Sequence, residues 1–294
     1  MEEEFGKYLQ KELDVLFGNS FRIQGSERLG GGCISNAAKL ITTDGQFFLK
    51  WHRSAAPDLF VREAEGLCHL KKAAQGKLII PQVILAAEAG KYPGFIVLEL
   101  LDTGPSQGQE EQLGTGLAVL HRYNGTRFGF DHDNYCGATP QKNEWKTNWI
   151  DFFATNRLIY LLDLIQGKAR FELAERKVFD RLIHELPRLL PASSMPSLIH
   201  GDLWSGNYLY TGRGPALIDP AACYADREME LSMMSLFGGF SAVTWQAYQH
   251  AYPLDAGWAD RIQIYQIYHL LNHYYLFGGS YGRQALAVAK KFAG

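Results

Sequence analysis

The sequence predicts an α+β protein with two lobes: a small, β-rich N-terminal lobe that carries one key helix, and a larger, mainly helical C-terminal lobe. Three observations predict this class. The chain has 294 residues, enough for two lobes with an ample core. Strand-like segments are concentrated before residue 101, and helical periodicity dominates from residue 102 onward. We therefore expect lobes that span residues 1–101 and 102–294.

The N-terminal lobe should contain a leading helix, a twisted antiparallel sheet and a second helix. Residues 37–42 and 46–51 are typical of two hairpin strands around Thr43-Asp44-Gly45. Residues 59–74 have the periodicity of a helix with one apolar side. Residues 95–101 are typical of a buried strand, which Asp102-Thr103-Gly104-Pro105 then ends.

The C-terminal lobe should begin with a helix over residues 113–121, despite two glycines in that segment. Residues 145–165 and 174–190 have amphipathic helical patterns. Trp145, Trp149 and Phe153 lie four residues apart on one side of the first pattern, which predicts core packing. Further helices are expected from Met229 to the end of the chain.

The chemistry is indicated by the stretch that runs from His200 to Asn207, and by Asp219 after the following apolar run. Phosphoryl transfer from ATP uses one carboxylate to accept the proton of the attacking hydroxyl. It also uses an amide oxygen and a second carboxylate to hold magnesium. The spacing matches the protein-kinase catalytic loop, with glycine in place of arginine at its second position. We expect Asp202 to be the proton acceptor, and Asn207 and Asp219 to be the magnesium ligands.

Lys50 and Glu63 are predicted to form the ion pair that aims a lysine at the phosphates of ATP. Lys50 ends the second hairpin strand, where a kinase carries this lysine. Glu63 projects into the apolar stripe of the helix over residues 59–74. A carboxylate there is costly unless it is paired, and Lys50 is the natural partner. The alternative is a glutamate at the edge of the stripe that reaches solvent.

Two further segments are candidates for the nucleotide site. Gly30, Gly31 and Gly32 form a glycine turn between strand-like segments, and such turns let backbone N–H groups approach phosphate oxygens. A hairpin turn without a ligand is the alternative interpretation. Glu99, Leu100 and Leu101 end the buried strand where a bilobal kinase has the hinge that binds adenine.

On these motifs the chain resembles the fructosamine kinase (ketosamine-3-kinase) family, within the superfamily of aminoglycoside phosphotransferases and protein-kinase-like enzymes. The matching segments span nearly the whole chain: Gly30-Gly31-Gly32-Cys33-Ile34-Ser35, Phe48-Leu49-Lys50, Glu63-Ala64-Glu65-Gly66-Leu67, Phe128-Gly129-Phe130-Asp131, Asp133-Asn134-Tyr135, Trp149-Ile150-Asp151-Phe152-Phe153, His200 to Asn207, Asp219-Pro220-Ala221, Asp226-Arg227-Glu228 and Phe277-Gly278-Gly279. Ala225, Glu230 and the segment 222–224 depart from the family pattern. These departures leave the chemistry intact but blur the acceptor assignment.

The resemblance implies a bilobal protein-kinase-like fold with ATP in the cleft between the lobes, and an ATP- and magnesium-dependent kinase. The implied acceptor is a ketosamine, a ketose sugar attached to a lysine or another amine by glycation. Phosphorylation at the third sugar carbon makes the adduct unstable, so the family is associated with deglycation. The rival interpretations are a kinase for another amine-bearing metabolite, such as an aminoglycoside or choline, and a nucleotide-binding regulator without catalysis.

The acceptor site is less well defined by the sequence. Asp226, Glu228 and Glu230 could hold the amine of a cationic acceptor. Alternatively, they could be first-turn acids of the following helix, with Asp226 as its cap. Trp204 could stack on a sugar or pack against the loop that carries it. His121 is expected to be a structural histidine with satisfied hydrogen bonds.

Composition excludes several classes. The formal net charge of −2 gives no electrostatic attraction to nucleic acid. The acidic N-terminus is unlike a signal peptide, and no apolar run is long enough to span a membrane. The four cysteines are scattered without metal spacing, which favours a reducing cytoplasm.

Cys33 directly follows the three glycines. It could be a small inert residue of a hairpin. The resemblance implies a second interpretation, because family members with a cysteine here are associated with redox control. Nearby backbone N–H groups and Lys50 would favour the thiolate. Oxidation would then obstruct the phosphates or link two chains, so we expect a monomer or a redox-linked dimer.

Overall fold

The computed structural model describes residues 2–18, 21–30, 35–168 and 171–294. The N-terminal lobe begins with α1 (Glu3–Phe17), and α2 (Leu59–Ala74) lies between its third and fourth strands. The strands are β1 (Ile23–Leu29), β2 (Asn36–Thr42), β3 (Gly45–His52), β4 (Val83–Ala87) and β5 (Gly94–Glu99). They form one antiparallel sheet in the order β1-β2-β3-β5-β4. The expected leading helix, hairpin and second helix are all confirmed.

The sheet separates two hydrophobic cores, because successive residues of a strand face opposite sides. Phe95 of β5 and Leu49 of β3 face α1 and belong to a small core on that side. Ile96 belongs to the larger core, which also contains one face of α2 and continues into the C-terminal lobe. Lys50 follows Leu49 in β3, so it points toward α2. The alternation of β3 therefore aims the lysine at the interior of the molecule.

The C-terminal lobe is mainly helical. Its helices are α3 (Gln109–His121), α4 (Trp149–Phe152), a π-helical segment (Phe153–Ile159), α5 (Tyr160–Gly167), α6 (Leu173–Leu189), α7 (Arg227–Phe237), α8 (Ala242–Ala251), α9 (Trp258–Phe277) and α10 (Tyr281–Phe292). Its short strands are β6 (Asn134–Cys136), β7 (Thr139–Gln141), β8 (Ser197–Ile199), β9 (Tyr208–Thr211), β10 (Gly214–Leu217) and β11 (Cys223–Ala225). Across the described ranges, none of the helices combines the length and the apolar character that a membrane span needs.

Two pairs of short strands place the predicted catalytic residues. β8 pairs with β11, and β9 pairs with β10, in both cases antiparallel. The loop that carries Asp202 and Asn207 connects β8 to β9. Asp219 follows the end of β10 by two residues. The loop between β8 and β9 and the segment after β10 therefore lie next to each other at one edge of the lobe.

The helix predicted over residues 145–165 begins later than expected. Asn148 caps it by accepting a hydrogen bond from the backbone N–H of Asp151 at 3.0 Å, so the first helical residue is Trp149. Trp149 and Phe153 are buried as predicted, whereas Trp145 lies outside the helix and is half-buried. Periodicity extended the helix by one turn because it does not detect a capping residue.

Glycines inside α3 allow it to pack closely on its neighbours. A Cβ atom on Gly114 would lie 2.2 Å from the carbonyl oxygen of Thr244 in α8. One on Gly116 would lie 2.5 Å from Leu78. Either Cβ atom would push α3 away from the segment that packs against it, so tertiary packing outweighs the low helix propensity of glycine, about 1 kcal/mol per residue.

Candidate active site

The loop after β8 is held to the segment around Asp219 by hydrogen bonds. The Nε2 of His200 lies 2.8 Å from the carbonyl oxygen of Ile218 and therefore donates to it. The backbone N–H of Ala221 donates to the carbonyl of His200 at 2.9 Å. His200 is fully buried, and burial lowers the pKa of its imidazole. A neutral imidazole with this tautomer leaves Nδ1 free to accept from the backbone N–H of Asp202 at 3.3 Å.

Only glycine fits the position between His200 and Asp202. Gly201 has a φ of +85°, which L-residues with side chains rarely adopt. A Cβ atom there would also lie 2.1 Å from the carbonyl oxygen of Ala221. The glycine that replaces the arginine of the protein-kinase motif is thus required by the close approach of two loops.

Asp202 and Asn207 are brought together by a direct contact. The Nδ2 of Asn207 donates to the backbone carbonyl of Asp202 at 2.7 Å, and lies 3.3 Å from its carboxylate. This orientation directs the amide donor toward Asp202. It leaves the Oδ1 of Asn207 as the acceptor that remains for a cation.

Lys50 forms ion pairs with two of the predicted acids. Its ammonium lies 3.0 Å from Glu63 and 2.9 Å from Asp219. The predicted Lys50–Glu63 pair is confirmed, and the alternative in which Glu63 reaches solvent is wrong because this side chain is only 9% exposed. Asp219 adopts a φ of +55°, an uncommon conformation for a residue with a side chain. The backbone of the turn thus places this carboxylate opposite the lysine.

Burial and mutual repulsion raise the affinity of these acids for protons. Burial, reinforced by the charge of Asp219, raises the pKa of Asp202 to about 7. Burial also raises the pKa of Glu63 to about 7, against the opposing charge of Lys50. Burial alone would lower the pKa of Lys50, but Glu63 and Asp219 together raise it above its ordinary value. The site therefore concentrates negative charge around one lysine.

The donor atoms fit magnesium. An amide oxygen from Asn207 and a carboxylate from Asp219 are hard oxygen ligands. No group of three or more His, Cys, Asp or Glu residues with metal-binding geometry occurs within the described residues. Magnesium in nucleotide sites is typically held by one or two carboxylates together with substrate phosphates. The residues present suit such a site.

The sequence profile of the fructosamine kinase family matches residues 7–293. The chain belongs to the fructosamine kinase family. A candidate ketoamine kinase of Synechocystis is 36% identical over 289 residues, covering 96% of this chain and 95% of the relative. The chloroplastic protein-ribulosamine 3-kinase of Arabidopsis thaliana is 36% identical over 281 residues, covering 95% of this chain and 85% of the relative.

Solved structures confirm the bilobal protein-kinase-like fold. A candidate fructosamine-3-kinase from Thermobifida fusca superposes with a TM-score of 0.84 at 28% identity, covering 97% of this chain and 98% of the other. The aminoglycoside phosphotransferase APH(4)-Ia superposes with a TM-score of 0.65 at 17% identity, covering 97% and 99%. The second likeness shows the fold alone.

The strand that leads to the expected hinge of this fructosamine kinase family member ends two residues earlier than predicted. Glu99 ends β5, and its side chain accepts a hydrogen bond from Arg213 at 2.6 Å. Leu100 and Leu101 lie beyond the strand and are half-buried. In the part of the chain that the structure describes, no hydrogen bond engages their backbone groups. These groups are therefore available to a ligand.

The glycine turn can be described only at its first residue. Gly30 follows β1 and is exposed, with no atom within 4 Å of an added Cβ. Gly31, Gly32 and Cys33 lie outside the described residues. Their expected roles stay predictions.

The acids at the start of α7 all have partners within the protein. Asp226 caps the helix by accepting from the backbone N–H of Glu228 at 2.9 Å, which confirms the capping alternative. Glu228 forms two hydrogen bonds with Arg261, at 2.6 and 2.7 Å. Glu230 accepts from the backbone N–H of Gly201 at 2.6 Å. All three acids are buried and have protein partners, which favours the structural interpretation. The acceptor role of Asp226 and Glu228 stays a prediction.

Trp204 lies against its own loop but keeps an open face. A Cβ atom on Gly206 would lie 2.4 Å from the indole ring, so the tryptophan covers this glycine. The side chain is still 38% exposed, beside Asp202 in sequence. Both interpretations of Trp204 are compatible with this position.

Sequence reasoning missed how the catalytic loop is anchored to the lobe. The second carboxylate oxygen of Glu230 lies 2.8 Å from Nε2 of His121, whose Nδ1 lies 2.8 Å from the hydroxyl of Tyr248. This series of hydrogen bonds connects Gly201 to α3 and α8 through buried atoms. The prediction that His121 is a satisfied structural histidine is confirmed, but its partners are more than a hundred residues away and leave no local signal.

Proposed function

We propose that this protein transfers the γ-phosphate of ATP to a sugar hydroxyl of ketosamines, the adducts formed when a lysine or another amine is glycated. One observation carries the proposal: Lys50 bridges Glu63 and Asp219 at the cleft where Asp202 and Asn207 contact each other. Family membership supports the acceptor class. ATP would lie between the proposed lobes 1–101 and 102–294, with adenine at the backbone of Leu100 and Leu101.

The proposed reaction uses Asp202 as the base. Its carboxylate accepts the proton of the acceptor hydroxyl, whose oxygen attacks the γ-phosphorus of ATP. A new O–P bond forms, the bond from the γ-phosphorus to the β–γ bridging oxygen breaks, and ADP leaves. A pKa of about 7 suits this role, because a general base works best when its pKa lies near the working pH.

The remaining residues position the phosphates. Lys50 would hold phosphate oxygens while Glu63 fixes its direction. Asn207 and Asp219 would hold magnesium, which neutralises charge on the phosphates when it is bound. Lys50 lies 2.9 Å from Asp219, the carboxylate that we propose as a metal ligand. Nucleotide binding would therefore change which groups the ammonium of Lys50 contacts.

The acceptor class follows from the relatives. Curated relatives are described as ketoamine kinases and as protein-ribulosamine 3-kinase. We propose that the third sugar carbon is phosphorylated, which makes the adduct unstable and supports deglycation of free amines or of protein lysines. Cysteines 68, 136 and 223 are unpaired, which agrees with a reducing cytoplasm as the proposed location.

A substrate panel tests the proposal. ATP consumption is measured with ribulosyl-lysine, fructosyl-lysine, kanamycin and choline, and phosphorus NMR locates the phosphate on the product. We expect turnover on at least one glycated lysine, with the phosphate on the third carbon. Asp202→Asn is the control that should lose turnover. Strong turnover on kanamycin or choline alone would favour the metabolite-kinase alternative, and nucleotide binding without any turnover would favour the regulator.

The proposed redox control needs its own measurement. If Cys33 is the switch, peroxide lowers activity, a thiol reductant restores it, and Cys33→Ala is insensitive. Non-reducing electrophoresis separates a linked dimer from an internal modification. Equal peroxide sensitivity of the wild type and Cys33→Ala would contradict the switch.

A further inference from the structure

The helix that carries Glu63 is attached to the C-terminal lobe along its length. The hydroxyl of Tyr135 donates to Asp58, the capping position of α2, at 2.6 Å. Farther along α2, Glu65 lies 3.3 Å from His132. The ring of His69 packs on Phe130 with centroids 4.8 Å apart. The segment 130–135 therefore runs beside α2 from its middle to its first residue.

The same segment is fixed to the turn that carries Asp219. Tyr135 lies in β6 between Asn134 and Cys136, so its side chain and that of Asn134 point to opposite faces. The Nδ2 of Asn134 donates to the carbonyl of Ala222 at 2.9 Å. Gln141 of the paired strand donates to the carbonyl of Ala221 at 3.2 Å. One short hairpin thus contacts α2 on one face and the turn after Asp219 on the other.

Direct packing completes the connection. A Cβ atom on Gly66 would lie 3.3 Å from Pro220 and 3.4 Å from Ala222, so α2 is in close contact with that turn. Gly66 follows Glu63 by three residues, so both lie on the same side of the helix. The position of α2 against the C-terminal lobe therefore determines where the Glu63 carboxylate meets Lys50.

We propose that Tyr135 is a positioning residue: through Asp58 it holds α2 in the position at which Glu63 keeps Lys50 aimed at the nucleotide. The proposal rests on the kinase function proposed above, and it assigns to the β6–β7 hairpin the task of keeping this helix engaged. Asp58 is the only described residue to which the Tyr135 hydroxyl donates. Arg62 binds the other oxygen of Asp58 at 2.9 Å, which orients the carboxylate toward Tyr135.

The expected effect follows from a population argument. If the hydrogen bond from Tyr135 is lost, α2 occupies its engaged position for a smaller fraction of the time. The apparent affinity for a ligand that binds only to the engaged state falls in proportion to the fraction of molecules in that state. Saturating nucleotide restores the engaged state, so turnover at saturation is little changed. General structural damage would instead lower the active fraction, and hence turnover, without changing nucleotide affinity.

Tyr135→Phe tests the proposal, because it removes one oxygen atom and keeps the ring. We expect the Kd of a magnesium-bound, non-hydrolysable ATP analogue to rise about three- to tenfold, and kcat on ribulosyl-lysine to change less than about twofold. Tyr123→Phe is the matched control: this tyrosine is 37% exposed, and its hydroxyl has no hydrogen bond within the described residues. Asp58→Asn keeps an acceptor oxygen, so its effect should be smaller than that of Tyr135→Phe.

A double-mutant cycle shows whether Tyr135 acts through Glu63. In a Glu63→Gln background, Tyr135→Phe should weaken nucleotide binding by less than about twofold further, because the group that it positions is already impaired. Full additivity, or a fall in kcat with an unchanged Kd, would overturn the proposal. An unchanged Kd in Tyr135→Phe would overturn it as well.

This test is separable from the test of the acceptor. The nucleotide titration contains no ketosamine, so its outcome does not depend on the acceptor class. A protein that binds nucleotide normally but phosphorylates no glycated lysine would refute the proposed acceptor alone. A wild type that binds no magnesium nucleotide would refute the kinase function and the role of Tyr135 together.

Discussion

The acids of the cleft and the acids at the start of α7 differ in how their charges are compensated. In the cleft, Glu63 and Asp219 share a single lysine, at 3.0 and 2.9 Å from its ammonium. The carboxylate of Asp202 has neutral partners, the amide of Asn207 at 3.3 Å and the thiol of Cys136. The result is a raised pKa of about 7 for both Asp202 and Glu63, caused first by burial.

In α7, the acids have partners of their own. Glu228 has two hydrogen bonds from one guanidinium, a geometry that is strong and specific. Glu230 receives one hydrogen bond from a backbone N–H and lies within hydrogen-bond distance of His121. Although burial by itself raises the pKa of Glu230, these partners bring it below its ordinary value. Burial keeps the pKa of Glu228 above its ordinary value despite the guanidinium of Arg261.

The difference separates two roles for buried carboxylates. Breaking the contacts of a buried acid that is paired within the protein destabilises the fold, so such an acid cannot exchange its partners for a ligand without that cost. Acids that share one cation keep negative charge that a metal ion or a transferred proton can still satisfy. Asp219 lies only seven residues before Asp226, yet their neighbours suit the two carboxylates to different roles.

The largest expected effect is the loss of turnover in Asp202→Asn. A positioned general base contributes about 10²–10⁴-fold to the rate. We therefore expect kcat on ribulosyl-lysine to fall by about this factor, while the Kd of magnesium nucleotide changes less than about threefold. Stopped assays and calorimetric titration measure the two quantities. A variant that keeps more than about a tenth of the wild-type rate would contradict the assignment.

Glu230→Ala should act on stability before chemistry. Removing one partner of a buried charged network typically costs about 3–5 kcal/mol. We expect the free energy of unfolding in urea to fall by about this amount, because the N–H of Gly201 and the ring of His121 lose their acceptor. A loss below about 1 kcal/mol would show that Gly201 and His121 do not compensate the buried charge of Glu230. It would contradict the contrast drawn between the acids of the cleft and those of α7.

Activity should fall with acidity if Asp202 is the base. Its carboxylate accepts a proton only when ionised, and its pKa is about 7. Between pH 8 and pH 6 the ionised fraction falls about tenfold, so kcat/KM for ATP at fixed acceptor should fall similarly. A flat profile over this range would indicate that another group accepts the proton.

The stability of the nucleotide-free protein should respond in the opposite direction. The folded pKa of Asp202 lies above the value of an unfolded aspartate, about 3.9, so the folded state binds more protons between these values. The contribution of Asp202 to stability therefore rises as the pH falls from about 7 toward 4. The unfolding free energy of Asp202→Asn minus that of the wild type isolates this effect. We expect the variant to be the more stable protein above pH 7, and its advantage to shrink as the pH falls toward 4.

Much of the fold could be predicted because its elements have local patterns. The helix over residues 59–74 has the bounds that periodicity indicates. The Lys50–Glu63 pair was predictable because a carboxylate in an apolar stripe requires a partner, and a lysine lies near the end of the strand before it. In both cases the reason for the observed structure can be recognised in a short stretch of sequence.

The rest depends on pairings between distant residues that follow no period. Glu228 and Arg261 are 33 residues apart, and Tyr135 and Asp58 are 77 apart. Nothing near Asp226 distinguished a helix cap from a ligand group, since an aspartate suits both. The π-helical segment over residues 153–159 also has no signal in an amphipathic pattern. Tertiary contacts decided these features.

The smallest expected effect tests the comparison at the residue where the sequence left both roles open. Asp226 accepts hydrogen bonds from Ser194 at 2.8 Å and Tyr265 at 3.1 Å, in addition to capping α7. Asp226→Asn keeps a capping oxygen but replaces the other acceptor by a donor. We expect a loss of about 1–2 kcal/mol in unfolding free energy and an unchanged KM for ribulosyl-lysine.

Asp226→Ser is the matched variant, because serine also caps helices but cannot reach both partners. If Asp226 only stabilises the fold, both variants lose stability and keep the wild-type KM for glycated lysine. If it bound the amine of the acceptor, that KM would rise about tenfold or more when the charge is removed, in both variants alike. Such a rise would contradict the inference that the acids of α7 have a structural role and those of the cleft a functional one. An unchanged KM would favour other residues for the amine site, among them Trp204, which is 38% exposed and follows Asp202 by two residues.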